Sequence, residues 1–338
     1  IFTDVNITSF AFTPAGGDYE IYSDSVKIFD AVKNSIFQFN IENDSIKLNN
    51  NSKKYFSIRA VSKNSTASFR IKAVVPDMRH RIYDDGMELS VSNKVFRIIN
   101  HPDLENYTAG VVQSEVGKMN TMEFNKVQVI IARTYALSSL RRHELENFNL
   151  CDNVHCQVYR GKSYTTNILK ADDETTGIVI VDDSIRVINA SFFSNCGGQT
   201  ANSEDVWLKP VSYLRSVSDT FCSRQPNARW EKKYIEGDWL GYLASKKYPV
   251  NDSVCKITAV CFEQTERKAN FCTDSVLLPL KTIREDLKLK STFFSVENKT
   301  GYIFLKGRGF GHGVGLCQEG AMQMAKAGYS YPEILHFY

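Results

Sequence analysis

A mixed α+β fold, with mostly antiparallel strands around a two-helix core and an N-terminal β region, is what this chain of 338 residues predicts. Three observations carry that expectation. The first hundred residues alternate apolar and polar positions in short runs broken by turn residues. Two helical apolar patterns follow, joined by a short turn. Short strand-like runs then return, intermixed with one or two further helices.

Residues 1–99 supply the β region. SVKIFDAV, FQFNI and SFRIKAVV have the two-residue period of half-buried strands, and AGGD, ENDS, NNNSKK and DDGM between them read as turns. The pattern changes at His101-Pro102. Pro102 is expected in the first turn of a helix carrying Leu104, Tyr107, Ala109, Val111 and Val112, which Gly117 closes. A second helix is expected from about Thr121 through MEFNKVQVIIARTYALSSLRRHEL. From 151 to 222 the chain reads as short strands, among them TGIVIVDD and IRVINASFFS, with the small-residue turn NCGGQT. Residues 223–300 read as an inserted α/β lobe, with helices near GDWLGYLASKK and PLKTIREDL and strands at KITAVCF and STFFSV. Residues 301–338 add a Gly/His-rich loop and a C-terminal helix that completes the core. The expected division is thus 1–99, 100–222, 223–300 and 301–338.

Composition bounds the function. Hydrophobic residues at 43% and charged residues at 23% allow a sizeable core, and 8 Pro with 19 Gly are too few for a collagen-like or disordered chain. A net charge of +3 is far from the bias that would favour nucleic acid as a partner. No apolar run is long enough to span a membrane, and IFTDVNITSF lacks the features of a signal peptide. The chain starts without Met and ends on PEILHFY, which reads as an unfinished helix, so any targeting signal is expected outside these residues. Eight cysteines (151, 156, 196, 222, 255, 261, 272 and 317) permit disulfides in an exported protein.

Four groups of residues offer chemistry. Glu115, in QSEVG, falls one residue short of the expected helix end, where the helix dipole disfavours a negative charge and raises the pKa. A carboxyl protonated near neutral pH can donate to a leaving oxygen; an ordinary surface helix residue is the other reading. Lys126 and Arg133, seven residues apart, share a helix side with Ile130 and Leu137. They either snorkel to solvent or face a groove and hold substrate oxygens. GRGFGHGVG places five glycines in nine residues around His312; it fits no nucleotide-binding pattern and suits an exposed loop that lets backbone approach a ligand. Last, His143, Cys151, His155 and Cys156 are two nitrogen and two sulfur donors within fourteen residues. They suit a structural, tetrahedral Zn²⁺ site, while a Cys151–Cys156 disulfide and free thiols remain open.

YTAGVVQSEVG, KVQVIIARTYAL, CDNVHCQVYRG, SFFSNCGGQT with EDVW and YLRSVSD, TIREDLKLKSTFFSV, and GRGFGHGVGLCQEGAMQMAKAGYSYPEILHFY together resemble the SpoIID family, that of stage II sporulation protein D, which includes the amidase enhancers. The six stretches occur in family order and span about 100 to 338. The resemblance implies a peptidoglycan lytic transglycosylase, a lyase of the cell envelope or periplasm that cleaves glycan strands freed of stem peptides. It places the catalytic acid on Glu115, supporting cations on Lys126 and Arg133, and glycan-binding residues on Ser194, Tyr213, Asp219, His312 and Gln318. Some members hold zinc through Cys and His in the region of the His143–Cys156 cluster. The chemistry agrees with finding one convincing acid. Hydrolytic glycosidases need two carboxylates, whereas here the muramyl 6-hydroxyl serves as internal nucleophile. A non-catalytic glycan-binding protein, or an activator of a cell-wall amidase, is the competing expectation. A zinc hydrolase fits less well, because four clustered donors leave no open position.

Overall fold

The structure, a computed structural model, describes residues 1–49, 52–64, 66–207, 209–273 and 276–338. The chain forms two compact units, residues 1–189 and 190–338, so the stretch 100–222 is divided between them.

The first unit opens with β1 (Ser9–Pro14), β2 (Tyr19–Ser23), β3 (Val26–Ala31), β4 (Phe37–Glu42), β5 (Ser45–Leu48) and β6 (Lys54–Tyr55). There follow β7 (Ser57–Ser62), β8 (Ser68–Val75), β9 (Arg81–Asp84), β10 (Gly86–Ser92) and β11 (Val95–His101). They pair antiparallel in two sheets, ordered β6-β5-β4-β1-β8-β9 and β11-β10-β7-β2-β3. Alternation sets the inward face: Phe10 and Phe12 of β1 lie opposite Ala73 and Ile71 of β8, and all four are buried. Rings from the two sheets meet edge-on, Phe12 with Tyr19 at 5.7 Å and Phe10 with Phe96 at 5.1 Å, which makes the pair a β-sandwich. Asp24-Ser25, Asn43-Asp44 and Asn93-Lys94 each carry two successive positive φ angles, the geometry of two-residue hairpins that follow strand twist. Within the NNNSKK turn, Asn50 and Asn51 lie outside the described residues.

Three helices complete the unit: α1 (Leu104–Val116), α2 (Met122–Ser138) and α3 (Thr166–Glu174). Ala109, Val111 and Val112 of α1, Val129 and Ala132 of α2, and Ile168 of α3 join the same buried cluster as the sheets. The β region and the helices therefore share one core. Asp103, rather than a turn containing Pro102, starts α1: its carboxylate accepts the Glu105 amide at 3.0 Å, leaving Pro102 just outside. Thr121 caps α2 as expected, but α2 ends at Ser138 instead of running through RRHEL. Beyond that point Leu140 and Leu145 are exposed, so no apolar face sustains the helix.

The second unit contains β12 (Phe192–Phe193), α4 (Ser203–Val206), β13 (Arg229–Ile235), α5 (Glu236–Ser245), α6 (Ser253–Val260), β14 (Cys261–Phe262) and β15 (Asn270–Thr273). It continues with β16 (Val276–Pro279), α7 (Leu280–Asp286), β17 (Phe294–Lys299), β18 (Tyr302–Arg308), β19 (Leu316–Cys317), α8 (Gln318–Lys326) and α9 (Tyr331–Phe337). An antiparallel sheet, β13-β18-β17-β14, shares a core with α5, α6 and α7 through Trp239, Leu243, Ala259, Ile283, Phe294 and Leu305. A short parallel pair, β12 with β19, sets Phe193 beside Cys317. The stretch KITAVCF is mostly helix, because Asp252 accepts the Val254 and Cys255 amides and so starts α6. TGIVIVDD and the start of IRVINASFFS form only an isolated Val181–Val187 bridge. Their apolar residues Ile178, Val181, Ile185 and Val187 are exposed, with no sheet face to cover them. Taken together, the architecture is α+β with mostly antiparallel strands.

Candidate functional site

Glu115 occupies the last turn of α1, before Gly117 turns the chain away with a φ of 74°. The segment 158–165 folds over this turn. Gln113 Oε1 accepts the Tyr164 amide at 2.9 Å, Ser114 Oγ accepts the Arg160 amide at 2.9 Å, and Glu115 Oε1 accepts the Val158 amide at 2.7 Å. Three consecutive side chains thus hold one loop. The approach is close because Gly110 has no side chain: a Cβ there would lie 2.5 Å from the Gly161 carbonyl oxygen. Glu115 is left half-buried, and loss of water raises its pKa above the usual carboxylate range, against the lowering influences of the Val158 amide and the Arg160 charge. The direction is the expected one, but burial is the main cause.

The two cations of α2 are drawn into ion pairs. Lys126 Nζ lies 2.8 Å from Glu174 and 3.3 Å from Glu123, which raises its pKa. Arg133 is fully buried. It donates to Glu105 through Nε and Nη2, to Asp172 at 3.0 Å, and to the carbonyls of Thr175 and Ile178 at 2.9 and 3.0 Å. Burial and the neighbouring Glu105 charge in turn raise the pKa of Asp172. Arg133 therefore ties the first turn of α1, the middle of α2 and the end of α3 together. Neither snorkelling nor an open groove describes it. Glu105, Asp172 and Arg160 were not singled out in the sequence, since acids and cations at ordinary helix or loop positions carry no local signal.

The loop that covers Glu115 begins at the Cys/His cluster. His143, Cys151, His155 and Cys156 bring four donor atoms within 4.8 Å of one another. Sulfur-to-nitrogen separations are 3.5 Å for Cys156–His143, 3.7 Å for Cys151–His155 and 3.8 Å for Cys156–His155. Tetrahedral Zn²⁺ with bonds of about 2.0–2.3 Å spaces such donors about 3.6 Å apart, so the set fits the ion. No disulfide joins the two cysteines. Between them, Asp152 is buried and accepts the Phe2 amide at 2.8 Å and the Thr3 amide at 3.0 Å.

The remaining candidates all belong to the second unit. His312 is half-buried rather than on an exposed loop, between Phe193 and Trp207, each 5.3 Å away. Its Nδ1 accepts the Val314 amide at 3.1 Å, so the Nε2 proton is donated to the Phe192 carbonyl at 3.0 Å. Burial lowers its pKa to about 4, so the ring is neutral and braces the glycine loop. Asp219 is fully buried among Cys196, Cys222 and Tyr338, and Gln318 is buried at the start of α8. Ser194 is half-buried and its carbonyl accepts the Glu319 amide at 3.0 Å. Tyr213 is half-buried against Ala201, Leu214 and Val314.

Residues 92–181 match the family described as stage II sporulation protein. Stage II sporulation protein D of Bacillus subtilis is 31% identical over 268 residues, 73% of this chain and 77% of that protein. Its counterpart in Bacillus amyloliquefaciens is 31% identical over 284 residues, covering 74% and 78%. The amidase enhancer of Bacillus subtilis is 26% identical over 283 residues, 68% of this chain and 39% of the enhancer. With this identity carried over most of both lengths, the chain belongs to the stage II sporulation protein D family.

Proposed function

We propose that this protein acts on the cell wall as a lytic transglycosylase, cleaving MurNAc–GlcNAc bonds of glycan strands already stripped of stem peptides and leaving 1,6-anhydro-MurNAc ends. The observation that carries the reading is Glu115: a half-buried carboxyl with a raised pKa, one oxygen fixed by the Val158 amide. Protonated, it donates to the glycosidic oxygen. As carboxylate, it takes the proton of the 6-hydroxyl, which the sugar ring itself holds beside the anomeric carbon. One acid suffices. Arg133 acts through position, by bracing α1, which carries Glu115, against α2 and α3, and Lys126 lies two turns before it on α2. The His143, Cys151, His155 and Cys156 donors suit a structural Zn²⁺, which when bound fixes the loop that reaches Glu115. The site of action is the envelope of the cell, and among the described residues no helix is long and apolar enough to cross a membrane.

The likeness to an amidase enhancer favours one second reading, a protein that grips glycan and activates a cell-wall amidase. The test is product analysis by mass spectrometry. Wild-type protein given peptide-free strands is expected to release anhydromuramyl fragments, and Glu115→Gln to abolish release with an unchanged circular dichroism spectrum. Reducing-end products would mean ordinary hydrolysis. Glycan binding without any product, together with stimulation of an added amidase, would leave the activator reading.

A further inference from the structure

A second donor cluster lies in the 190–338 unit. Cys196, Asp219, Cys222 and Cys317 bring three sulfurs and a carboxylate oxygen within 4.8 Å of one another, and all four residues are buried. We propose that they hold a second metal ion, of the thiolate-binding divalent class exemplified by Zn²⁺. The proposal is independent of the glycan-cleaving reading.

The separations favour an ion over a cross-link. The Cys196 and Cys222 sulfurs are 3.3 Å apart, and Cys196 Sγ is 3.2 Å from Asp219 Oδ2. A disulfide requires about 2.05 Å, whereas Zn–S bonds of about 2.3 Å put tetrahedral sulfurs roughly 3.7 Å apart. The observed distance is nearer the second value. None of Cys196, Cys222 and Cys317 is in a disulfide.

The main chain is arranged around sulfur as around an anion. Cys317 Sγ accepts the Cys196 amide at 3.2 Å and the Gly320 amide, in the first turn of α8, at 3.4 Å. Gly197 and Gly198 turn the chain beside these sulfurs with positive φ, 72° and 105°, and the Gly197 amide donates to Asn195 Oδ1 at 2.7 Å. Converging N–H groups stabilise thiolates far better than neutral thiols. Asp219 is oriented in the same way as a metal-ligating carboxylate. Its Oδ1 accepts the Phe221 and Cys222 amides at 2.8 and 3.3 Å, and Oδ2 accepts the Tyr338 hydroxyl at 2.9 Å. Gly320 makes room for this contact, since a Cβ there would fall 2.3 Å from Oδ2. A cation stands close by: Arg267 donates to the Cys196 carbonyl at 2.8 Å, adding positive charge beside the donors. With four protein ligands the site is closed and structural, clamping NCGGQT, the VSD turn and the start of α8 to one another.

The experiment measures metal in the full chain, purified reduced and without chelator, by inductively coupled plasma mass spectrometry. Wild type is expected to carry two Zn²⁺. H143N/C156S, which disables the first cluster, should keep one, and adding Cys222→Ser should remove it. Metal-free H143N/C156S titrated with Co²⁺ alone should show a thiolate-to-cobalt charge-transfer band that saturates at one equivalent, a readout that does not require Cys222→Ser to fold. If H143N/C156S itself fails to fold, wild type compared with Cys222→Ser reads the same site: a fall from two to one is expected, and an unchanged content overturns the proposal. Folded H143N/C156S without zinc or a cobalt band overturns it, as does a Cys196–Cys222 disulfide in a non-reducing peptide map.

Discussion

At Glu115 two influences oppose each other: loss of water raises its pKa, while the Val158 amide and the Arg160 charge lower it. A group that works as an acid loses activity as pH rises through its pKa, so a raised value extends the active range upward. Arg160→Gln removes one lowering influence. The alkaline limb of kcat/KM for fragment release should therefore move to higher pH, and a limb that stays put or moves down would contradict the assignment. Arg133 is tested by stability. Arg133→Met leaves Glu105 and Asp172 without their buried partner and should cost about 3–5 kcal/mol in urea unfolding. The sequence shows Lys126 and Arg133 on one helix side, but not what they meet. Arg133 finds Glu105, 28 residues earlier, and Asp172, 39 residues later, and such long-range pairings leave no mark on local periodicity.

Among the elements, the loop from Cys151 to Thr165 joins chemistry to scaffold. Its donor cluster is two residues from Val158, whose amide fixes Glu115. His155→Gln, or prolonged chelation, is expected to lower fragment release about 10–100-fold while the sandwich still unfolds cooperatively, as a circular dichroism melt would record. Unaltered turnover after verified loss of metal would disconnect the cluster from Glu115. Gly110→Ala should also reduce activity, because its Cβ would meet the Gly161 carbonyl and push the loop off α1. The strands of the β region and both helices were legible, since SFRIKAVV and the α1 and α2 patterns carry clear periods. KITAVCF was not, because its β-branched residues outweigh the single cap at Asp252 that starts a helix there.

At the scale of the whole molecule, residues 1–99 form most of a core that α1, α2 and α3 complete. A chain starting at residue 100 would expose Val111, Val112 and Val129, and is expected to be rapidly degraded by protease and poorly soluble, whereas the full chain resists digestion. Stable, resistant protein from residue 100 onward would show that the helices need no sandwich. The boundary near residue 99 was read from a change in pattern, and the pattern does change there; burial across it depends on faces that meet only in three dimensions. Asp152 adds a temporal consequence. Its carboxylate receives the Phe2 and Thr3 amides, a contact that cannot form until some 150 residues more have been made. A growing chain can zip its hairpins early, yet the Phe2 and Thr3 amides find Asp152 only when the loop that positions Glu115 arrives. The same loop thus anchors the residues ahead of β1 and shapes the acid's surroundings.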